Sequence, residues 1–218
     1  MSKILPIASQ IETQILKAIN SQENLMSEFT LNSTRAVGDA IQDFLAKEFI
    51  HFLPKNLLQE YNESFARRSM ADFAFLDIDN NFYAIDCKTH NIHTNFNMPN
   101  LTSVERIARF YEDRKNYFML LMIAYQIKKQ KVRAEKCIFA PIEYIDWSCL
   151  TIGALGWGQV QISNSNQITI NPKQTRKTWM LNLCEAVLSF YPREIAKIKE
   201  RIIHFEKIKD FWENQSES

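Results

Sequence analysis

Apolar residues recur at helical and strand-like intervals along most of the chain. Ile7, Ile11, Ile15 and Ile19 share one face of a predicted helix over Ile4 to Asn20. The polar stretch from Ser21 to Ser33 reads as a loop or arm. Val37, Ile41, Phe44, Leu45 and Phe49 predict a second helix from Thr34, stopped near Pro54. A short helix is expected over Asn56 to Arg68. Ala71 to Lys88, ADFAFLDIDNNFYAIDCK, then sets two apolar runs around Asp79-Asn80-Asn81, the pattern of a β-hairpin.

Thr89 to Asn100 is rich in asparagine, holds Pro99 and shows no sustained period, so it reads as a loop. Leu101 to Lys115 reads as a helix with Val104, Ile107, Ala108 and Tyr111 on one side. The apolar run Tyr117 to Tyr125 predicts a buried strand, and Val132 to Ala140 another. Ile142 to Leu150 reads as an irregular or briefly helical connection. Gly153, Gly156 and Gly158 interrupt a strand-like segment, where glycine marks a bulge or a close approach of backbone. An amphipathic helix is expected over Thr175 to Tyr191. Pro192 stands where a further helix would begin, and Ile195, Ile198, Ile202, Phe205, Ile208 and Trp212 form its stripe, read as core or dimer packing.

The whole predicts an α/β protein of α+β type: one domain over 1-218, with a central mixed β-sheet flanked by helices. At 218 residues, 46% hydrophobic and 23% charged, the chain can bury a substantial core. No apolar run is long enough to span a bilayer, and no signal-peptide pattern opens the chain, so a cytoplasmic protein with no membrane partner is expected. Cys87, Cys137, Cys149 and Cys184 are scattered without a CxxC pair and read as reduced thiols. His90 and His93 lack a second ligand pair for zinc. A net charge of +1 announces no nucleic-acid binder, although Arg67-Arg68, Lys128 to Lys136 and Lys173 to Lys177 are local basic clusters.

The hairpin carries the candidate chemistry. Phe82, Ala84, Asp86 and Lys88 fall on one face of its second strand, and the turn returns Asp72 beside Asp86. Two carboxylates and an ammonium at one sheet end suit a hard divalent cation, of which Mg²⁺ takes one or two carboxylates. A plain Asp/Lys ion pair at a strand end is the simpler alternative. Asp39, early in the second helix, is either a further acidic participant or a solvent-facing residue favoured by the helix dipole.

Ala71-Asp72 followed by Asp86-Cys87-Lys88 resembles the PD-(D/E)xK nuclease signature. Asp86 to Asn100, Arg35 to Gly38, Gln159 to Gln161, and Thr175-Arg176 with Trp179 extend the likeness. The text is similar to the HincII-like type II restriction endonucleases, in the EcoRV-like branch of that superfamily. Ala71 stands where the family has proline, and the side chains over Gly153 to Trp157 differ from the family's base-contacting ones.

The resemblance implies a restriction-endonuclease-like core and Mg²⁺-dependent hydrolysis of both strands of double-stranded DNA at a short, palindromic site. It also implies a homodimer and a cognate DNA methyltransferase. Asp72, Asp86 and Lys88 would be catalytic, and the metal would take Asp72, Asp86 and the carbonyl of Cys87. Thr89, Asn97, Asn100, Gly153, Gly156, Trp157, Gln159, Gln161 and Arg176 would contact DNA. For the loop and the glycine stretch, a solvated loop and a strand kinked around a buried Trp157 are the alternatives. For the chain, they are a nuclease of repair or recombination and a non-catalytic DNA-binding module.

Overall fold

In the computed structural model the described residues are 3–22, 25, 33–63 and 70–216. Five strands form a mixed sheet in the order β1-β2-β3-β5-β6: β1 (Leu58–Asn62), β2 (Phe73–Asp77), β3 (Phe82–Asn91), β5 (Asn116–Lys128) and β6 (Lys131–Pro141). Only β3 and β5 run parallel, in register from Phe82↔Asn116 to Asn91↔Tyr125. A smaller antiparallel sheet, β4-β8-β7, comprises β4 (Asn100–Ser103), β7 (Leu150–Gly153) and β8 (Gln159–Ile162).

Alternation along the strands divides the core in two. Tyr83, Ile85 and Cys87 of β3, with Met119, Leu121 and Ile123 of β5, pack under α1 (Ala8–Ser21) and α2 (Thr34–Glu48). Ala84 of β3, with Phe118, Leu120 and Met122 of β5, faces the small sheet, α3 (Val104–Phe110) and the start of α4 (Arg176–Glu213). Asp86 and Lys88 therefore share a strand face with the second layer, while α2 covers the opposite face at Cys87.

The hairpin forms as expected. Asp77 is buried and accepts from the backbone N–H groups of Asp79 and Asn81, the Asn81 amide and the Tyr83 hydroxyl, at 2.8–3.0 Å. Asn80 takes φ 58°, a backbone state asparagine tolerates.

Several elements differ from expectation. The predicted helix over Asn56 to Arg68 is instead strand β1 as far as Asn62, an edge strand pairing with β2; residues 64–69, including Arg67-Arg68, lie outside the described residues. Tyr61 fixes it there, its ring against Phe73 and its hydroxyl donating to Ala46 O. The loop expected from Thr89 begins three residues later, because β5 continues as a pairing partner. The helix expected from Leu101 is short: Asn100–Ser103 pairs with β8, and Ser103 caps α3 by accepting from Arg106 N.

Pro192 begins no new helix but lies inside a single one of 38 residues. Its exposed position lets the lost hydrogen bond fall on the solvent side. The first half of this helix is pinned by Trp179, Leu183 and Phe190. No helix among the described residues is long and apolar enough to cross a membrane.

Candidate active site at the open end of the hairpin

The end of the hairpin brings the three predicted residues together. Lys88 Nζ donates to Asp86 Oδ1 at 2.6 Å. Asp72 Oδ2 accepts from the backbone N–H of Cys87 at 2.7 Å, so the first carboxylate is tied to the residue between the other two. Asp86 is only 5% exposed, whereas Asp72 and Lys88 are half-buried and reach solvent. Asp86 Oδ2 is buried without a hydrogen-bond partner.

Burial pushes the Asp86 carboxyl up to about 7, against the pull of the Lys88 ammonium and with the charge of Asp72 adding to the rise. Burial would lower the Lys88 ammonium. The charge and hydrogen bond of Asp86, with Asp72 behind them, overcome it and hold the ammonium above its ordinary range.

A fourth side chain enters from α2. Gln42 Nε2 donates to the backbone carbonyl of Cys87 at 2.6 Å and lies 3.5 Å from Asp72 Oδ2. The sequence pattern did not single it out, since one glutamine on an amphipathic helix carries no chemical signal. Position i+3 from Asp39, on the helix that must cross β3, is the geometric hint available. The helix approaches closely because residue 38 is glycine: a Cβ there would meet Thr89 Oγ1 at 2.7 Å.

The donor set fits a hard cation. Asp86 offers a buried oxygen with no partner, Asp72 a second carboxylate, and Cys87 a carbonyl whose other lone pair remains beside the Gln42 contact. Among the described residues no three or more His, Cys, Asp or Glu side chains converge, so the protein's donors would be these two carboxylates and the carbonyl.

A cleft of 340 Å³ opens beside Lys88. Arg35, Asp39 and Gln42 form its α2 wall, and Thr89 and Asn97 lie across from them. Asp39 thus lines the cleft but joins no cluster of acidic groups. His90 is buried as a tether, its Nε2 2.7 Å from Asn166 Oδ1 and its Nδ1 3.4 Å from Asn97 Nδ2. Asn166 also donates to the carbonyls of Thr94 and Asn95, so the loop after β3 is held by the loop after β8.

The remaining predicted DNA contacts divide between two places. Asn100, exposed at the cleft rim, accepts from Gln161 Nε2 across the β4–β8 pair, and Gln159 shares that strand face. Gly153 leaves room for this amide, since a Cβ there would stand 2.4 Å from Gln161 Oε1. Gly156, at φ 59°, and Trp157 form an exposed turn between β7 and β8. The tryptophan does not plug the core.

Arg176 is not in the cleft. It pairs with buried Glu143 at 2.9 Å, donates to Arg114 O, and stacks on Tyr111 and Tyr117. Tyr117 pairs with Tyr83 while Met122 pairs with Lys88, a separation of about 17 Å along the sheet. A larger recess of 670 Å³ lies at the β5–β6 turn, lined by Lys128, Lys129, Lys131 and Arg133, with no carboxylate among its described lining residues.

Fold and site together define an α+β protein with a carboxylate pair, a carbonyl and a lysine where the β2–β3 pairing ends. No family model matches the chain. Comparison with the curated proteins finds no match either.

Proposed function

We propose that the protein is a Mg²⁺-dependent, sequence-specific double-stranded DNA endonuclease of the type II restriction class. In this reading it works in the cytoplasm as a homodimer on a short palindromic site, beside a cognate DNA methyltransferase. The observation that carries the reading is the convergence of Asp72, Asp86, the Cys87 carbonyl and Lys88, of which Lys88 lines an open cleft.

A divalent cation bound there would supply charge neutralisation at the scissile phosphate and a more acidic bound water. Asp72 and Asp86 would hold it, together with the Cys87 carbonyl that Gln42 orients. Lys88, protonated against Asp86, keeps a positive charge beside the phosphate and stabilises the negative charge that develops there. Asn97 and the Asn100–Gln161 pair present amides at the rim, groups able to donate to and accept from base edges.

Incubation with Mg²⁺ and a long plasmid should give discrete fragments. A smear or end-dependent degradation would instead assign the site to a repair or recombination nuclease. Lys88→Ala and Asp86→Asn should each abolish cleavage while leaving DNA binding in Ca²⁺ largely intact. Wild type and both variants equally inert on many DNAs would leave a non-catalytic binding module.

A further inference from the structure

The second half of α4 leaves the body of the protein as an exposed arm. Residues 192–213 would span about 33 Å as a helix. Five of its large apolar side chains follow a seven-residue repeat, while Ile203, Ile208 and Phe211 stand outside it. Ile195 and Ile202, with Lys209 next in step, fall at position a, and Ile198, Phe205 and Trp212 fall at d. All five apolar members are exposed. Leu181 and Leu188 continue the a positions toward the body and are exposed as well. Trp179, Leu183 and Phe190, which pin the helix to the core, fall at f and c, on the far side from this seam.

We propose that residues 192–213 pair, parallel and in register, with the same segment of a second copy to form a two-stranded coiled coil. A 3.5-residue period sustained from Ile195 to Trp212 matches a partner helix with the same supercoil, whereas a globular surface needs no such period. The flanking charges choose the orientation. In a parallel pair, position g meets e five residues further along the other chain. Arg201 then meets Glu206 of the partner subunit, and Glu194 meets Lys199 of the partner subunit, each twice by symmetry.

The antiparallel pairing that covers the same seam sets Ile195 opposite Trp212 and Ile202 opposite Phe205. It brings Lys199 to Glu206 of the partner subunit but leaves Arg201 and Glu194 with no opposite charge across the seam, so the parallel pair carries twice as many complementary contacts. A single lysine at a, Lys209, fixes register at a cost in stability. Within the chain Lys209 lies 3.5 Å from Glu213 and Glu194 2.7 Å from Lys197, so these charges have local partners that a coiled coil can retain. Because the body-facing positions lie opposite the seam, the two bodies flank the paired arms without competing for them.

The inference rests on the homodimer of the proposed function and names the segment that joins its copies; its test uses no activity, so its failure is distinct from failure of the nuclease reading. Sedimentation velocity of the full chain should show a dimer. Ile202→Asp should give a monomer with unchanged circular dichroism from the sheet. Arg201→Glu should weaken the dimer by about tenfold, and Arg201→Glu with Glu206→Arg should restore it. In a Cys184→Ser background, Ile202→Cys should form an intermolecular disulfide on mild oxidation, since residue 202 meets itself only in the parallel register. A wild-type monomer or trimer overturns the proposal. So does a dimer untouched by Ile202→Asp, or cross-linking that requires Ile202→Cys on one chain and Phe205→Cys on the other.

Discussion

Asp86 sits at the point of greatest electrostatic tension in the site. It is buried, one of its oxygens has no hydrogen-bond partner, and its carboxyl is lifted from 3.8 to about 7. In the metal-free protein the folded state keeps a proton that the unfolded chain has already released. This contribution to stability is therefore full below about pH 4 and is lost as pH rises through about 7. In EDTA, the melting temperature of Asp86→Asn minus that of wild type should climb across this window and level off above it. Parallel melting curves over the window would mean that the carboxyl is not raised. Asp77 behaves oppositely. Its hydrogen bonds from Asn81, Tyr83 and Asp79 outweigh burial and hold its carboxyl below 3.8, so its stabilisation fails only on the acid side, outside the Asp86 window. A cation requires the ionised carboxylates, so the stabilisation conferred by Mg²⁺ should grow between about pH 5 and pH 8.

At the level of elements, the site depends on α2 lying close over β3, and Gln42 is the contact that converts this packing into chemistry. Gln42→Ala removes the donor that aims the Cys87 carbonyl and leaves the buried fold intact. Cleavage should fall by about 10–100-fold, with a raised Mg²⁺ requirement, as is usual when a group orienting a metal ligand is lost. An unchanged Mg²⁺ dependence would reduce Gln42 to a packing residue. The hairpin was legible because two short apolar runs and the turn-forming Asp-Asn-Asn between them reinforce each other locally. Strand β1 was not, since an edge strand with exposed Gln59 and Glu60 shows little alternation and owes its pairing to Tyr61 and β2, remote in the sequence. The same applies to Asn100–Ser103, whose conformation is decided by β8 some 60 residues later. The ion pair of Arg176 was not legible because its partner Glu143 lies in a connection with no recognisable pattern, so nothing local announces it. Pro192 misled for a different reason: the anchored turns before it and the long repeat after it outweigh one missing hydrogen bond.

For the whole molecule, the proposed nuclease reading gives each chain one Asp72–Asp86–Lys88 site, whereas a duplex presents two scissile strands. The net charge of +1 gives no general attraction to DNA, so on that reading productive encounters would rely on local cations such as Arg35 and Lys88 at the cleft and on two such sites in one particle. If the α4 arms join the copies, both strands can be cut within a single encounter. A monomer would cut one strand, dissociate, and have to find the nick's partner anew. Ile202→Asp should therefore convert the reaction on supercoiled plasmid from direct linearisation to accumulation of nicked circles, with Asp72, Asp86 and Lys88 untouched. Gel analysis of the time course separates the two ideas. Nicking by the variant places its defect in pairing rather than chemistry, while rapid linearisation by a verified monomer would show that the arms do not couple the two clefts. Raising the concentration of Ile202→Asp should not restore linearisation, because an aspartate pair at a buried a position opposes association at any practical concentration.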